Sequence, residues 1–190
     1  MPYTPPENFA ELIAAMKRAA ALLRDAGIEV LLGGGLAAWA RGGPPTEHDV
    51  DFLIRPQDAE PALAALEAGG LRPERPPEGW LVKAWQGDIA IDLIFDPSGG
   101  PIGDEFFARG EELEVMAQPL LVASLDDVVV TKLLSISEQE PSFQSVLELA
   151  RSLREQIDWT AVRERTLHSP FAKAFFTLVE ELGIVERSTA

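Results

Sequence analysis

The spacing of apolar residues predicts helices and short strands in the first two thirds of the chain. Residues 7–26 have the period of an amphipathic helix, which Gly27 ends. Shorter helices are predicted at residues 36–40, 57–70 and 104–110. The predicted strands are residues 28–32, 48–54, 80–86 and 88–95, the last two as a hairpin around Gly87, with one or two edge strands in residues 112–123.

From Ser124 onward the pattern predicts only helices. Ser124, Asp158 and Ser169 are N-cap residues for three of about four helices, and Thr4 with Glu7 forms a similar cap for the first helix of the chain. The fold class predicted is α+β, with a small mixed sheet of about five strands flanked by helices. We expect residues 1–123 to form this core and residues 124–190 a helical bundle packed on it, with one candidate linker at residues 136–142.

Two aspartates interrupt the apolar strand at residues 48–54. Alternate residues of a strand face the same side, roughly 6.5–7 Å apart, so Asp49 and Asp51 project together. Asp92 is again the lone charge in the apolar run IAIDLIF of the later strand. Three carboxylates on neighbouring strands repel one another and require cations, and hard oxygen ligands favour Mg²⁺ or Mn²⁺ over zinc. The alternative is that the aspartates cap a solvated strand start, which explains Asp92 poorly.

Three glycines, Gly33 to Gly35, follow the first predicted strand. They let the backbone approach a ligand, and a helix N-terminus attracts anions. The string also fits the dinucleotide pattern G-x-G-x-x-A, but the helix after it is short and the acidic residues begin the next strand rather than end it. The chain has no GK[ST] sequence, which excludes a P-loop. A tight strand-to-helix turn is the simpler alternative.

Composition narrows the class of substrate. The 190-residue chain has a net charge of −15, with both halves acidic, so it repels nucleic-acid backbones and favours a small-molecule or protein partner over tRNA. It contains no cysteine, which removes disulfides and thiolate sites. It shows no signal peptide and no apolar run long enough for a membrane span, so we expect a cytoplasmic protein.

The stretch LLGGGLAAWARGGPPTEHDVDFLI resembles the signature of the DNA polymerase β-type nucleotidyltransferases. That signature is a Gly-Gly turn, a spacer and Asp-x-Asp in the next strand, with a third carboxylate in a later strand, here Asp92 in IDLIF. Residues 28–96 carry the resemblance, and SLDDVVVTKLLSI extends it loosely. The resemblance is to small bacterial stand-alone members, which include antibiotic-modifying and tRNA-modifying enzymes, relatives of abortive-infection-type toxins, and antitoxins that modify partner toxins.

The resemblance implies transfer of a nucleoside monophosphate from an NTP to an acceptor hydroxyl. Asp49, Asp51 and Asp92 would be the catalytic residues and would hold Mg²⁺ or Mn²⁺, Asp92 at a second metal or as general base. Gly33 and Gly34 would bind the β- and γ-phosphates through backbone N–H groups. Lys132 would lie near the phosphates, or would be a snorkelling surface lysine.

Other residues are weaker candidates. Trp80 or Trp85 would stack on a base, Lys83 would touch phosphate, and His48 precedes the first aspartate. Arginines of the C-terminal helices, Arg151, Arg154, Arg163 and Arg165, either form a basic patch or pair with acidic neighbours. A second function class is a non-catalytic nucleotide-binding or toxin–antitoxin interaction module that retains the fold.

Overall fold

The computed structural model describes residues 8–46 and 49–186. The predicted cap at Thr4 and Glu7, and His48, lie outside these residues. The helices are α1 (Phe9–Asp25), α2 (Gly34–Ala40), α3 (Ala59–Ala68), α4 (Asp104–Arg109), α5 (Leu125–Ser135), α6 (Gln144–Leu153), α7 (Trp159–Arg165) and α8 (Pro170–Glu181). The strands are β1 (Leu31–Leu32), β2 (Asp49–Leu53), β3 (Arg72–Glu74), β4 (Leu81–Gln86), β5 (Ile89–Ile94), β6 (Glu111–Glu114) and β7 (Pro119–Val122).

The strands form one mixed sheet in the order β3-β4-β5-β2-β1-β7-β6. Within the described residues the sheet has seven strands rather than the expected five or so, because three-residue β3 joins one edge and both β6 and β7 form. Strand β1 is shorter than the predicted residues 28–32. Strands β2 and β5 run parallel at the centre, and this pairing decides where the aspartates meet.

One face of the sheet supplies much of the core. On this face, four side chains of β2 and β5 are fully buried: Val50, Phe52, Ile91 and Leu93. Helices α1 and α3 contact these strands, and they also contact each other. The apolar positions of each strand therefore face the helices, and the alternate positions of β2 are left for the aspartates, as the period of two predicts.

Four helices follow the sheet in the described chain, in agreement with the sequence pattern. The Ser124, Asp158 and Ser169 side chains cap α5, α7 and α8 as predicted, since each accepts hydrogen bonds from backbone N–H groups of the first turn. Trp159, Phe175 and their aromatic neighbours pack inside this bundle. The predicted linker joins α5 to α6. The domain boundary between residues 123 and 124 stays a prediction.

A buried carboxylate connects the helical region to the sheet region. Asp127, near the start of α5, has no exposed side-chain surface. Its oxygens accept hydrogen bonds from Arg109 at the end of α4, at 2.8–3.2 Å, from Arg165 on α7, and from the Ser124 hydroxyl at 2.8 Å. Burial opposes ionisation of Asp127, but the hydrogen bonds from the two arginines outweigh it and hold its pKa below the ordinary value.

We expect Asp127→Asn to lower the free energy of unfolding by about 3 kcal/mol at neutral pH, because both arginines lose their charged partner. A carboxylate whose pKa is lower in the folded protein stabilises it above the ordinary aspartate pKa, and this contribution disappears as pH falls through the folded pKa. The difference between wild type and variant should therefore shrink in acid. Urea unfolding across a pH series measures it. Asp88→Asn, on an exposed turn, is the charge-matched control, and a pH-independent difference would contradict the assignment.

Candidate functional site

The register of β2 and β5 brings the three predicted aspartates together. Asp51 lies directly opposite Asp92, and Asp49 lies opposite Ala90 one row away. One carboxylate oxygen from each aspartate lies within 4.8 Å of the others. Because the strands are parallel and adjacent, the backbone itself holds three like charges on one face of the sheet.

The glycine turn packs directly against this cluster. Gly34 has a φ of +53°, and a Cβ atom added there would lie 1.7 Å from Oδ2 of Asp51. No other residue type fits this backbone conformation and this contact together. The N–H of Gly33 donates to the backbone carbonyl of Asp51 at 2.8 Å, so it is already used within the sheet. The phosphate-binding role predicted for both glycines therefore rests on Gly34.

The cluster is electrostatically strained. Burial, together with the negative charges of Asp49 and Asp92, raises the pKa of Asp51 to about 7, against the opposing effect of Lys132 and Lys83. Burial also raises the pKa of Asp92, and its hydrogen bond with Lys83 counteracts that shift. Negative charge at this position is therefore costly until a cation compensates it.

One cation is already in place on β4. Lys83 lies opposite Asp92 in the β4–β5 register, and its Nζ donates to both Asp92 oxygens at 2.8 and 2.7 Å. On its other side, Glu74 of β3 accepts a hydrogen bond from Nε1 of Trp85 at 2.6 Å. From the sequence, Lys83 was a candidate only as a phosphate ligand. Its pairing with Asp92 follows from the two-residue turn at Gly87 and Asp88, which fixes the register of the predicted hairpin, so the sequence did contain a signal for it.

A cleft of about 770 Å³ opens beside the aspartates, between the glycine turn and helices α5 and α6. Its lining includes Asp49, Asp51 and Lys132, together with Glu140 and Glu148 of the α5–α6 region. Lys132 thus lines the same cleft as two of the aspartates, and its charge lowers the pKa of Asp51. The volume falls within the range of small-molecule sites, roughly 300–1,000 Å³.

The donor set fits a hard divalent cation. All three side chains offer carboxylate oxygens, which Mg²⁺ and Mn²⁺ prefer. Ligands bound to one Mg²⁺ at about 2.1 Å lie roughly 3–4 Å apart, so the present spread of up to 4.8 Å closes with small side-chain rotations. A metal ion bound here would remove the repulsion that raises the pKa of Asp51.

The remaining candidates lie elsewhere or are engaged. Trp39 packs edge-on against Phe9 at 5.0 Å between ring centroids and lies partly buried against the core. Arg163 and Arg165 of the C-terminal helices pair with Glu180 and Asp127, and Arg154 pairs with Glu155. These arginines therefore interact mainly with the protein's own carboxylates.

In residues 8–46 and 49–186, no helix is both long and apolar enough to cross a membrane.

Comparison with solved structures identifies the fold. ANT(2″)-Ia in complex with adenylyl-2″-tobramycin superposes with a TM-score of 0.64 at 15% identity, over 86% of this chain and 98% of that one. A candidate nucleotidyltransferase from Thermotoga maritima gives 0.53 at 13% identity, over 90% and 94%. The lincosamide antibiotic adenylyltransferase LnuA, bound to lincomycin, gives 0.50 at 14% identity, over 77% and 96%. No protein-family model matches the sequence, and comparison with curated proteins found no match.

The chain has the fold of the nucleotidyltransferases. The predicted α+β class is confirmed, and the fold is the one seen in solved nucleotidyltransferases, as the resemblance implies. The neighbours match nearly their whole lengths, so the helices after Ser124 belong to the shared architecture as well as the sheet. At 13–15% identity the likeness extends to the fold alone.

The contact between Gly34 and Asp51 predicts an unusually large effect for a one-carbon change. Gly34→Ala should destabilise the protein by more than the 1–2 kcal/mol that positive φ alone costs, because the added methyl group displaces the Asp51 carboxylate. Gly27→Ala is the matched control, since Gly27 has a φ of +73° and no atom within 4 Å of the added Cβ. Urea unfolding of the two variants measures the difference. Equal losses would show that Asp51 does not occupy this position.

Proposed function

We propose that the protein is a metal-dependent nucleotidyltransferase that transfers a nucleoside monophosphate from an NTP to a hydroxyl group of a small-molecule or protein acceptor. The observation that carries this proposal is the convergence of Asp49, Asp51 and Asp92 within 4.8 Å beside an open cleft. Such a like-charged cluster is costly in a purely structural role. The nucleotidyltransferase fold supports the same function.

Each residue of the site has a distinct role in the proposed reaction. The acceptor hydroxyl oxygen attacks the α-phosphorus, the bond to the β-phosphate breaks, and pyrophosphate leaves. Asp92, on the strand beside Asp51, accepts the proton of the attacking hydroxyl. Lys132, which lines the cleft, and the backbone of Gly34, which lies against Asp51, would bind the negatively charged phosphates.

Asp49 and Asp51, with Asp92 beside them, are the residues that would hold Mg²⁺ or Mn²⁺. Bound there, the cation would neutralise the triphosphate and stabilise charge that develops on the transferred phosphoryl group. The protein's own contribution is rigidity, because parallel strand pairing and the Gly34 contact hold the carboxylates before substrate binds.

The cleft favours a cationic acceptor. Glu140 and Glu148 lie on its α5–α6 wall, so among the described lining residues four carboxylates, with Asp49 and Asp51, face one lysine. A positively charged molecule gains from this field, whereas a polynucleotide is repelled by it. Two structural neighbours were solved with small molecules, adenylyl-2″-tobramycin and lincomycin, which supports a small acceptor for this chain.

Labelled-NTP incubation tests the reaction. With Mg²⁺ and an NTP labelled at the α-phosphate, we expect label to move to an acceptor among aminoglycosides, total tRNA and proteins. Asp92→Asn should reduce the transfer rate at least 100-fold, because a general base contributes roughly 10²–10⁴. Asp88→Asn, on the exposed turn of the same hairpin, should keep wild-type activity.

Binding and transfer must be measured separately, because their results separate the two function classes. Nucleotide and Mg²⁺ should together raise the melting temperature of the wild type but not of Asp51→Asn. A thermal shift without transfer to any acceptor would favour the non-catalytic module. Absence of both would overturn the assignment of the site.

Acceptor charge gives a second test once an acceptor is found. For a cationic acceptor, Glu140→Gln together with Glu148→Gln should raise KM several-fold, since exposed charge pairs contribute about 0.2–1 kcal/mol each. The KM for the NTP should change little, and the effect should diminish at high salt. Glu138→Gln, exposed in the same loop but outside the cleft lining, is the control. If tRNA binds instead at micromolar affinity with a steep salt dependence, the small-acceptor proposal is wrong.

A further inference from the structure

The positive charge of Lys83 compensates the negative charge of Asp92, one of the three site carboxylates. It is the only charged residue of β4 (Leu81–Gln86, LVKAWQ), and the register puts it opposite Asp92. Its ammonium group contacts both oxygens of Asp92 at 2.7–2.8 Å. The Asp92 side chain is only 8% exposed and that of Lys83 24%, so water screens this pair weakly.

The neighbouring strand directs Lys83 toward Asp92. Glu74 of β3 lies opposite Lys83 on the other side, and is therefore a competing carboxylate. It accepts the Trp85 indole N–H at 2.6 Å and is more exposed, with 42% of its side chain accessible. Trp85, considered from sequence as a base-stacking residue, thus holds the competing acid while Lys83 pairs with the buried one.

The pair changes the charge that the site presents to metal ions. When all three are ionised, as metal binding requires, the carboxylates carry −3, and Lys83 reduces the charge of these four side chains to −2, which one divalent cation neutralises. A second divalent ion bound through Asp92 would lie next to the ammonium group and would be repelled by it. A carboxylate offers about four lone-pair positions, and Lys83 occupies two of them, so Asp92 can still accept a proton.

We propose that Lys83 takes the place of a second divalent cation, so that the site holds one metal ion through Asp49 and Asp51 while the Asp92–Lys83 pair remains intact. This inference rests on the proposed nucleotidyltransferase function and specifies its metal requirement. Lys83 is then a positioning residue, which acts through Asp92 by orienting it and by excluding a competing ion.

Metal stoichiometry tests the inference without relying on activity. The protein is titrated with Mn²⁺ in the presence of an ATP analogue whose α–β bridge cannot be cleaved, and free Mn²⁺ is followed by its electron paramagnetic resonance signal. We expect one Mn²⁺ per chain for wild type and for Lys83→Arg, which keeps the charge. Lys83→Met should bind two. Lys173→Met, an exposed lysine on α8, matches the charge change and should bind one.

The outcomes separate the two proposals. Two Mn²⁺ ions on the wild type would overturn the role of Lys83 and leave the proposed function standing, as would one ion on a folded Lys83→Met. If nucleotide and Mn²⁺ do not bind at all, the proposed function itself fails. Circular dichroism shows whether Lys83→Met folds, and if it does not, the wild-type stoichiometry alone decides.

Discussion

The pairing of β2 with β5 is the constraint on which the site depends. It places Asp51 beside Asp92 through backbone hydrogen bonds, so the carboxylates cannot separate to relieve their repulsion. The opposite faces of the same strands carry Val50 and Ile91, which are fully buried. The apolar contacts that stabilise the sheet therefore also stabilise the unfavourable arrangement of charge on its other side. Strain of this kind is typical of sites where folding free energy maintains a geometry that the side chains alone would not adopt.

A second charge arrangement, at Asp127, works in the opposite sense. There the buried carboxylate meets two arginines from α4 and α7, and its pKa is lowered rather than raised. The lowered pKa of Asp127 suits a structural carboxylate, and the raised pKa of Asp51 suits the chemical role proposed for it. Asp127 links the start of α5 to Arg109 of the sheet region and to Arg165 of the helical region. The same helix also contains Lys132, which lines the cleft. The salt-bridge network and the candidate site thus share one helix.

Much of the fold and of the candidate site was predictable from local sequence patterns. The rest depends on which distant segments of the chain pair with each other. The period of two in residues 48–54 was sufficient to put Asp49 and Asp51 on one face, and side-chain capping located the starts of α5, α7 and α8. The arginine partners of Asp127 come from α4 and α7, and no local pattern specifies them. Lys83 and Asp92 instead face each other across a hairpin whose two-residue turn fixes their register. Strand β6 and the turn after it were uncertain for another reason, because Met116 and Ala117 adopt positive φ without the glycine that usually marks such a turn.

The edges of the sheet have a consequence for how this protein meets other copies of itself. Strand β3 includes Pro73, which has no N–H to offer to an added strand, and β6 carries Glu111, Glu112 and Glu114 within four residues. A strand from a second molecule would lack an N–H donor to pair with at β3 and would be repelled by the carboxylates of β6. At high concentration the chain should therefore resist association by strand addition, and self-association would have to use its helical surfaces.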